Sequence, residues 1–247
     1  MTIDPADRRE RATSFAGVAA AYERARPGYQ TEAVRWLAGD EPLDVVDLGA
    51  GTGKLTRALV ALGHRVIAVE PLPEMLAELR AAVPGVTAIE GTAEAVPLEA
   101  ACADVVVAAQ AFHWFDHGPA LREIVRLLRP GGRIGLIWNM RDVSEPWVAE
   151  LGEVMVGRTE FVSGTIDLID SSGLFGPVER AVFEPHVQEL GRDALRELVL
   201  SRSYCAVLSD EERAPVLRNV DRLFDEHARD GVVRLPYLSE CFRAPRR

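Results

Sequence analysis

Val45-Val46-Asp47-Leu48-Gly49-Ala50-Gly51-Thr52-Gly53 decides how this chain folds: an apolar run breaks into glycines, and a helical pattern from Leu55 to Leu62 follows at once. The expected unit is a buried parallel strand, a tight loop and a helix. A strand covered on both faces reads as continuous apolar residues, and glycines let the backbone turn sharply and approach a ligand that a Cβ would hold off. Asp47, at the strand end, is expected to order the loop by accepting its backbone N–H groups. The first turn of the helix leaves free N–H donors facing the same space.

Three glycine loops compete for this pattern. A phosphate-gripping P-loop needs G-x-x-x-x-G-K-[ST], but Gly49 to Gly53 is too short and Lys54 is followed by Leu55, so spacing and hydroxyl both fail. A dinucleotide fingerprint, G-x-G-x-x-G, accepts Gly49 and Gly51, yet its third glycine falls one residue early, at Gly53. The third is a nucleoside loop, and Asp47 to Gly53 resembles, position by position, that of class I S-adenosylmethionine-dependent methyltransferases. The next apolar run, His64 to Val69, ends in Glu70, about twenty residues after the first glycine, where a ribose-binding acid sits in nucleoside-binding α/β folds.

Composition sets the outer bounds. The chain has 247 residues, 48% hydrophobic and 27% charged, enough for one large α/β domain, or for a core of ordinary size with an added subdomain. A net charge of −10 argues against a nucleic-acid backbone or an anionic membrane as partner. Lys54 is the only lysine, so no Tyr-x-x-x-Lys dyad exists, and its place on the glycine-loop helix argues against pyridoxal-phosphate chemistry. Cys102, Cys205 and Cys241 are scattered, without metal-ligand spacing, and no metal is expected. The charged stretch Met1 to Arg11 predicts no leader, no run approaches membrane-spanning length, and the expected location is the cytoplasm.

In chain order, Phe15, Val18, Ala19 and Tyr22 predict an amphipathic helix over Ala12 to Arg26, ended by Pro27-Gly28, and a second helix spans Thr31 to Gly39. Tyr22, Arg26 and Tyr29 resemble the Tyr…Arg-Pro-x-Tyr segment of small-molecule methyltransferases similar to trans-aconitate methyltransferase and related type 11 enzymes. In those relatives it lies over the cofactor and helps hold its methionine end. A solvated arginine at a helix end accounts for Arg26 equally well. After Glu70, Pro71-Leu72 leads into a helix from Glu74 to Ala82. Leu72 and Met75 are candidates to stack on adenine, with core packing the equal alternative, and Leu72 is the one retained because it directly follows the acidic strand end.

Strands are expected over Val86 to Ile89, Asp104 to Ala109 and Arg133 to Asn139. Between the last two lies a helix capped by Asp116 and ended by a turn at Arg129-Pro130-Gly131-Gly132. The loop Gly91-Thr92-Ala93-Glu94 resembles the one that reads the adenine amino edge, with Thr92 where the family usually has Asp. Gln110-Ala111-Phe112-His113-Trp114 resembles the family's motif after the fourth strand. His113 is a candidate general base, or a histidine lining the pocket. Asn139, Arg141 and Asp142 follow the fifth strand and are candidates for substrate contact.

Further on, a helix over Trp147 to Arg158, a strand over Val178 to Phe183, helices over Arg192 to Ser203 and Asp210 to His227, and a strand over Val232 to Phe242 are expected. Ser209 and Glu212 form a capping box for the second of these last helices. The pattern is α/β. The resemblance implies a doubly wound, mostly parallel seven-stranded sheet, Rossmann-like, with helices on both faces and the last strand antiparallel. It divides as 1–40, a helical segment over the cofactor; 41–140, the S-adenosylmethionine-binding core; and 141–247, completing the sheet with a helical insertion or lid.

By that resemblance Asp47, Gly49, Ala50, Gly51, Gly53, Glu70, Pro71 and Leu72 would hold S-adenosylmethionine, with Thr92, Ala93, Glu94, Gln110, Ala111, Phe112 and Trp114. Tyr22 and Arg26 would help, while Tyr29, His113, Asn139 and Arg141 would meet the substrate. The expected activity is methyl transfer to an O, N or C atom of a small molecule, as a monomer or homodimer. A nicotinamide-dependent oxidoreductase and a non-catalytic S-adenosylmethionine-binding protein are the alternatives.

Overall fold

Short apolar runs alternating with amphipathic stretches give strand and helix in turn in the computed structural model, which describes residues 26–155, 164–201, 205 and 208–247. The expected helix over 12–26, and Tyr22 with it, lies outside the described residues apart from Arg26. The order begins α1 (Thr31–Ala38), β1 (Asp44–Leu48), α2 (Lys54–Ala61), β2 (Arg65–Glu70), α3 (Pro73–Ala82), β3 (Thr87–Glu90) and β4 (Ala103–Ala109). A 3-10 turn at Phe112–Trp114 leads to α4 (His117–Leu127) and β5 (Leu128–Arg141). Then come α5 (Pro146–Val154), α6 (Thr165–Ser171), β6 (Glu179–Leu190), α7 (Arg192–Leu200), α8 (Asp210–His227) and β7 (Val233–Pro245).

The strands form one seven-stranded sheet in the order β3-β2-β1-β4-β5-β7-β6, mostly parallel, with the last strand antiparallel. β1 pairs in parallel with β2 and with β4, β2 with β3, and β4 with β5. The chain divides into two compact units, one built from the described parts of 28–139, 160–183 and 239–247, the other from those of 1–27, 140–159 and 184–238. In the first unit, Val34 and Leu37 of α1, Val45 of β1, Leu55 and Leu59 of α2, Val105 and Val107 of β4 and Ile137 of β5 share one core. Each such fully buried Val or Leu contributes about 1.5–3 kcal/mol. In the second unit, Val148 and Leu151 of α5, Leu195 and Leu198 of α7, Val220 and Leu223 of α8 and Leu235 of β7 share another.

Three expectations change in detail. The Arg129–Gly132 turn does not precede the fifth strand but bulges within it: Ala103 pairs with Leu128 and Val105 with Arg133, so the intervening residues are extruded, with Gly131 at φ +81°. A Cβ at Gly132 would stand 2.8 Å from the Asp104 carbonyl, so only glycine lets the bulge close. β6 runs on to Leu190, through Pro185, which an edge strand tolerates because one row of its N–H groups needs no ladder partner. α6 was not expected; its seven residues, TIDLIDS, are too short for a periodic signal to stand out. The capping box is present as expected: Ser209 Oγ accepts the Glu212 N–H at 3.3 Å, and Glu212 Oε2 accepts the Ser209 N–H at 2.8 Å. No helix among the described residues is long and apolar enough to cross a membrane.

Candidate functional site

Chain order along the sheet reverses between β1 and β4, and ligands of open α/β sheets bind beyond the carboxyl ends of the strands at that switch point. The glycine loop leaves β1 there and residues 110–115 leave β4, and the two loops touch. A Cβ at Gly49 would stand 2.8 Å from Ala111 Cβ and 3.4 Å from Phe115 Cε1. A Cβ at Gly53 would stand 2.9 Å from Leu79 Cγ of α3. At Gly51 it would meet nothing within 4 Å among the described residues. All three have left-handed φ, at +64°, +56° and +86° for Gly49, Gly51 and Gly53. The outer glycines are therefore demanded by packing, while the middle one faces open space.

Backbone partners fasten this loop. Gly49 and Ala50 donate their N–H groups to the Val69 carbonyl at 2.9 and 3.1 Å, and Gly51 donates to Glu70 Oε2 at 2.9 Å. The other carboxylate oxygen, Oε1, accepts the Leu72 N–H at 3.1 Å. Glu70 is 5% exposed, and burial raises its pKa above the usual carboxylate value, the Gly51 and Leu72 amides opposing. Leu72 is half-buried and precedes α3, Pro71 is exposed, and Met75 lies in the core.

Asp47 does not order the loop. Its Oδ2 accepts the Thr56 hydroxyl at 2.6 Å, tying the strand end to α2, while Oδ1 has no hydrogen-bond partner among the described residues. The loop's amides reach across to the end of the neighbouring strand β2 instead of back to their own. Burial pushes the Asp47 carboxyl up to about 7; the Thr56 bond opposes this, and the nearby Glu70 charge adds to it.

The loop after β3 stands beside Glu70: Gly91 donates its N–H to the Glu70 carbonyl at 3.4 Å, and a Cβ there would meet Pro97 Cδ at 3.0 Å and Val69 Cγ1 at 3.1 Å. Thr92 is exposed and Ala93 buried. Glu94 Oε1 accepts the Asp116 N–H at 2.8 Å, joining the loops after β3 and β4. Asp116 stands at the α4 N-cap, but its side chain makes no capping bond, contrary to expectation. It is the Asp116 backbone amide, held by Glu94, that contributes.

After β4, Gln110 adopts φ +55°, donates its N–H to the Ile137 carbonyl at 2.9 Å and its Nε2 to the Asn139 carbonyl at 3.0 Å. A non-glycine residue in this region stores strain, as residues at functional sites often do. Phe112 is 1% exposed and packs edge-on to Phe115, so its side chain belongs to the core and its backbone alone can face a ligand. Ala111 is also buried, against the glycine loop. His113 and Trp114 are half-buried, their rings 4.6 Å apart.

Asn139 spends its side chain on structure: Nδ2 donates to the Gly28 carbonyl at 2.8 Å and Oδ1 accepts the Ser239 hydroxyl at 2.9 Å. Tyr29, half-buried, packs against the core of the first unit. Arg26 and Arg141 belong to the other unit, where Arg26 Nε donates to Ser201 Oγ at 3.3 Å and Arg141 Nη1 lies 2.9 Å from Met155 Sδ. Sequence reasoning missed Thr56, a hydroxyl at the third position of α2, and the Val69 carbonyl, which no side-chain motif could announce.

A profile of the methyltransferase domain family matches residues 46–136, the span from β1 to β5. An uncharacterized methyltransferase of Mycobacterium tuberculosis is 44% identical over 240 residues, 96% of this chain and 97% of that protein. Trans-aconitate 2-methyltransferase of Azoarcus sp. is 35% identical over 139 residues, 49% of this chain and 54% of that protein. Among solved structures, a chain described as a type II methyltransferase from Anaeromyxobacter dehalogenans superposes with a TM-score of 0.65 at 26% identity, covering 90% of this chain and 97% of that one. With a relative 44% identical over nearly the whole length of both chains, this chain belongs to the methyltransferase family, built on the class I fold.

Proposed function

We propose that the protein uses S-adenosylmethionine to methylate an O, N or C atom of a small molecule in the cytoplasm. The observation that carries this is the space over Gly51, which holds no atom of the described residues within 4 Å of where a Cβ would stand, beside the Glu70 carboxylate. The residues present fit the cofactor: each Glu70 oxygen accepts one amide and keeps a lone pair for a ribose hydroxyl, and Gly51 has no Cβ to block approach. The relative named trans-aconitate 2-methyltransferase supports a small molecule as acceptor, and the family assignment leaves the oxidoreductase reading without support.

When bound, the cofactor supplies an electrophilic sulfonium methyl group that an acceptor lone pair can attack in line. Glu70, the Gly49–Gly53 loop and residues 91–94 hold its nucleoside end. His113 and Trp114 form the wall facing the acceptor, and their half-burial excludes part of the water from it. Orientation is the main contribution of these residues, because holding two reactants in line converts an encounter into an internal step. His113 has a second reading, as the group that takes a proton from the acceptor.

Calorimetric titration with S-adenosylhomocysteine, with NAD as control, tests the cofactor. Binding of the former alone is expected. Binding of NAD instead would remove the proposal.

A further inference from the structure

Glu123 and Arg126 lie one turn apart on α4, outside every motif considered so far, and both turn their charge onto the chain between Val96 and Leu98. Glu123 Oε1 accepts the Val96 N–H at 2.8 Å. Arg126 Nη2 donates to the Val96 carbonyl at 3.0 Å and Nη1 to the Leu98 carbonyl at 2.8 Å. The two side chains also meet each other in a forked pair, Nε to Oε2 and Nη2 to Oε1, each at 2.7 Å. The Glu123 side chain is 13% exposed and that of Arg126 36%. Bonding to Arg126 lowers the Glu123 pKa and bonding to Glu123 raises that of Arg126, so the pair stays ionised through neutral pH.

What the pair holds is the far limb of the loop that begins at Gly91. From Gly91 the chain makes a tight turn, with the Ala95 N–H on the Thr92 carbonyl at 3.2 Å, and returns with Pro97 pressed toward Gly91. Glu94 ties the tip to Asp116, and Gly91 leans on β2 next to Glu70. The near limb is thus placed by strand contacts and the far limb by the α4 pair, the one source of side-chain bonds to Val96 and Leu98 among the described residues. A nucleoside whose ribose sits on Glu70 has its base beside this loop. A base edge is read by backbone amides and carbonyls only if they stand within a few tenths of an ångström of their places.

We infer that Glu123 and Arg126 are positioning residues that set recognition of the nucleobase edge, through residues 91–98, at the proposed S-adenosylmethionine site. The inference rests on that proposed cofactor. Neither residue touches the ligand; both act through the loop. Lysine at 126 would keep the charge but lose the planar fork that spans two carbonyls and a carboxylate.

The test compares S-adenosylhomocysteine with S-inosylhomocysteine, which carries a 6-oxo group in place of the amino group, by calorimetry on the wild type, Arg126→Met, Arg126→Lys and Glu123→Gln. Leu235→Ala, in the core of the other unit, controls for lost stability. The wild type is expected to prefer the adenosyl compound. Arg126→Met should reduce that preference roughly tenfold, with partial recovery in Arg126→Lys. Leu235→Ala should leave it unchanged despite a lower Tm. If Arg126→Met does not fold, Glu123→Gln, which loses charge and keeps shape, must lower the preference for the inference to stand. An unchanged ratio in the folded variants overturns it, and failure of the wild type to bind either compound removes instead the cofactor reading beneath it.

Discussion

Replacing each loop glycine by alanine separates packing from ligand space. An L-residue at left-handed φ costs about 1–2 kcal/mol, and all three positions carry this penalty. At Gly49 the new methyl stands 2.8 Å from Ala111 Cβ, and at Gly53 it stands 2.9 Å from Leu79 Cγ. Overpacking adds about 1–3 kcal/mol at these two sites, for totals of about 2–5 kcal/mol. Gly51→Ala meets no atom of the described residues within 4 Å and keeps the smaller cost. For a chain of this size, each kcal/mol lowers Tm by about 2–4 °C, so thermal melts should place Gly51→Ala nearest the wild type. Binding should run the other way. A methyl projecting into the proposed ligand space costs about 1–3 kcal/mol, which is about 5- to 150-fold in the Kd for S-adenosylhomocysteine. Wild-type affinity in Gly51→Ala would refute the placement of the ligand over that residue, and a larger Tm loss there than at Gly49 would refute the packing argument.

Two further outcomes can be read in solution. Burial raises the Asp47 carboxyl from 3.8 to about 7 in the folded protein, so the fold binds this proton more tightly than the unfolded chain does. The resulting stability is complete below about pH 4 and is lost as pH rises toward about 7; a gap of about three pH units at 1.36 kcal/mol each gives about 4 kcal/mol. Urea melts should show Asp47→Asn gaining on the wild type across that window, and parallel pH profiles would sink the assignment. His113→Ala should leave S-adenosylhomocysteine binding and the pH dependence of kcat unchanged, as for a wall; loss of the acidic limb of the kcat profile would instead assign His113 the proton transfer.

The centre of the sheet was legible because β1, β2 and β4 each carry a mostly apolar run beside a glycine or an acid. Val105 to Ala108, at most 1% exposed, could hardly be anything but a central strand. The second half of β6 was not legible. Glu184, His186 and Gln188 are polar and Pro185 interrupts the run, and an edge strand needs neither continuous apolar residues nor every N–H. In the site, Glu70 was readable from its distance to the glycines, yet its bonds to two backbone amides were not. Asp47 misled for the opposite reason. Its place at the strand end pointed to the loop, and only the packing of α2 reveals that Thr56 takes its hydrogen bond. Asn139 was read as a substrate contact because it follows a strand, although its amide is occupied by Gly28 and Ser239, the latter a hundred residues further along the chain.

Glu70 is also a staple between two separate backbone segments, since one oxygen holds the loop after β1 and the other the first turn into α3. Its length therefore matters as much as its charge. Aspartate would keep the charge but, one methylene shorter, could not span both amides from the same Cα; glutamine would keep the span but offer one acceptor oxygen. Either exchange strands an N–H, at about 1–3 kcal/mol, and a melt of the ligand-free variants reads that loss directly. Two amides fix the identity of this residue before any ribose is considered, and substitutions that look mild on paper should be among the least tolerated in the loop.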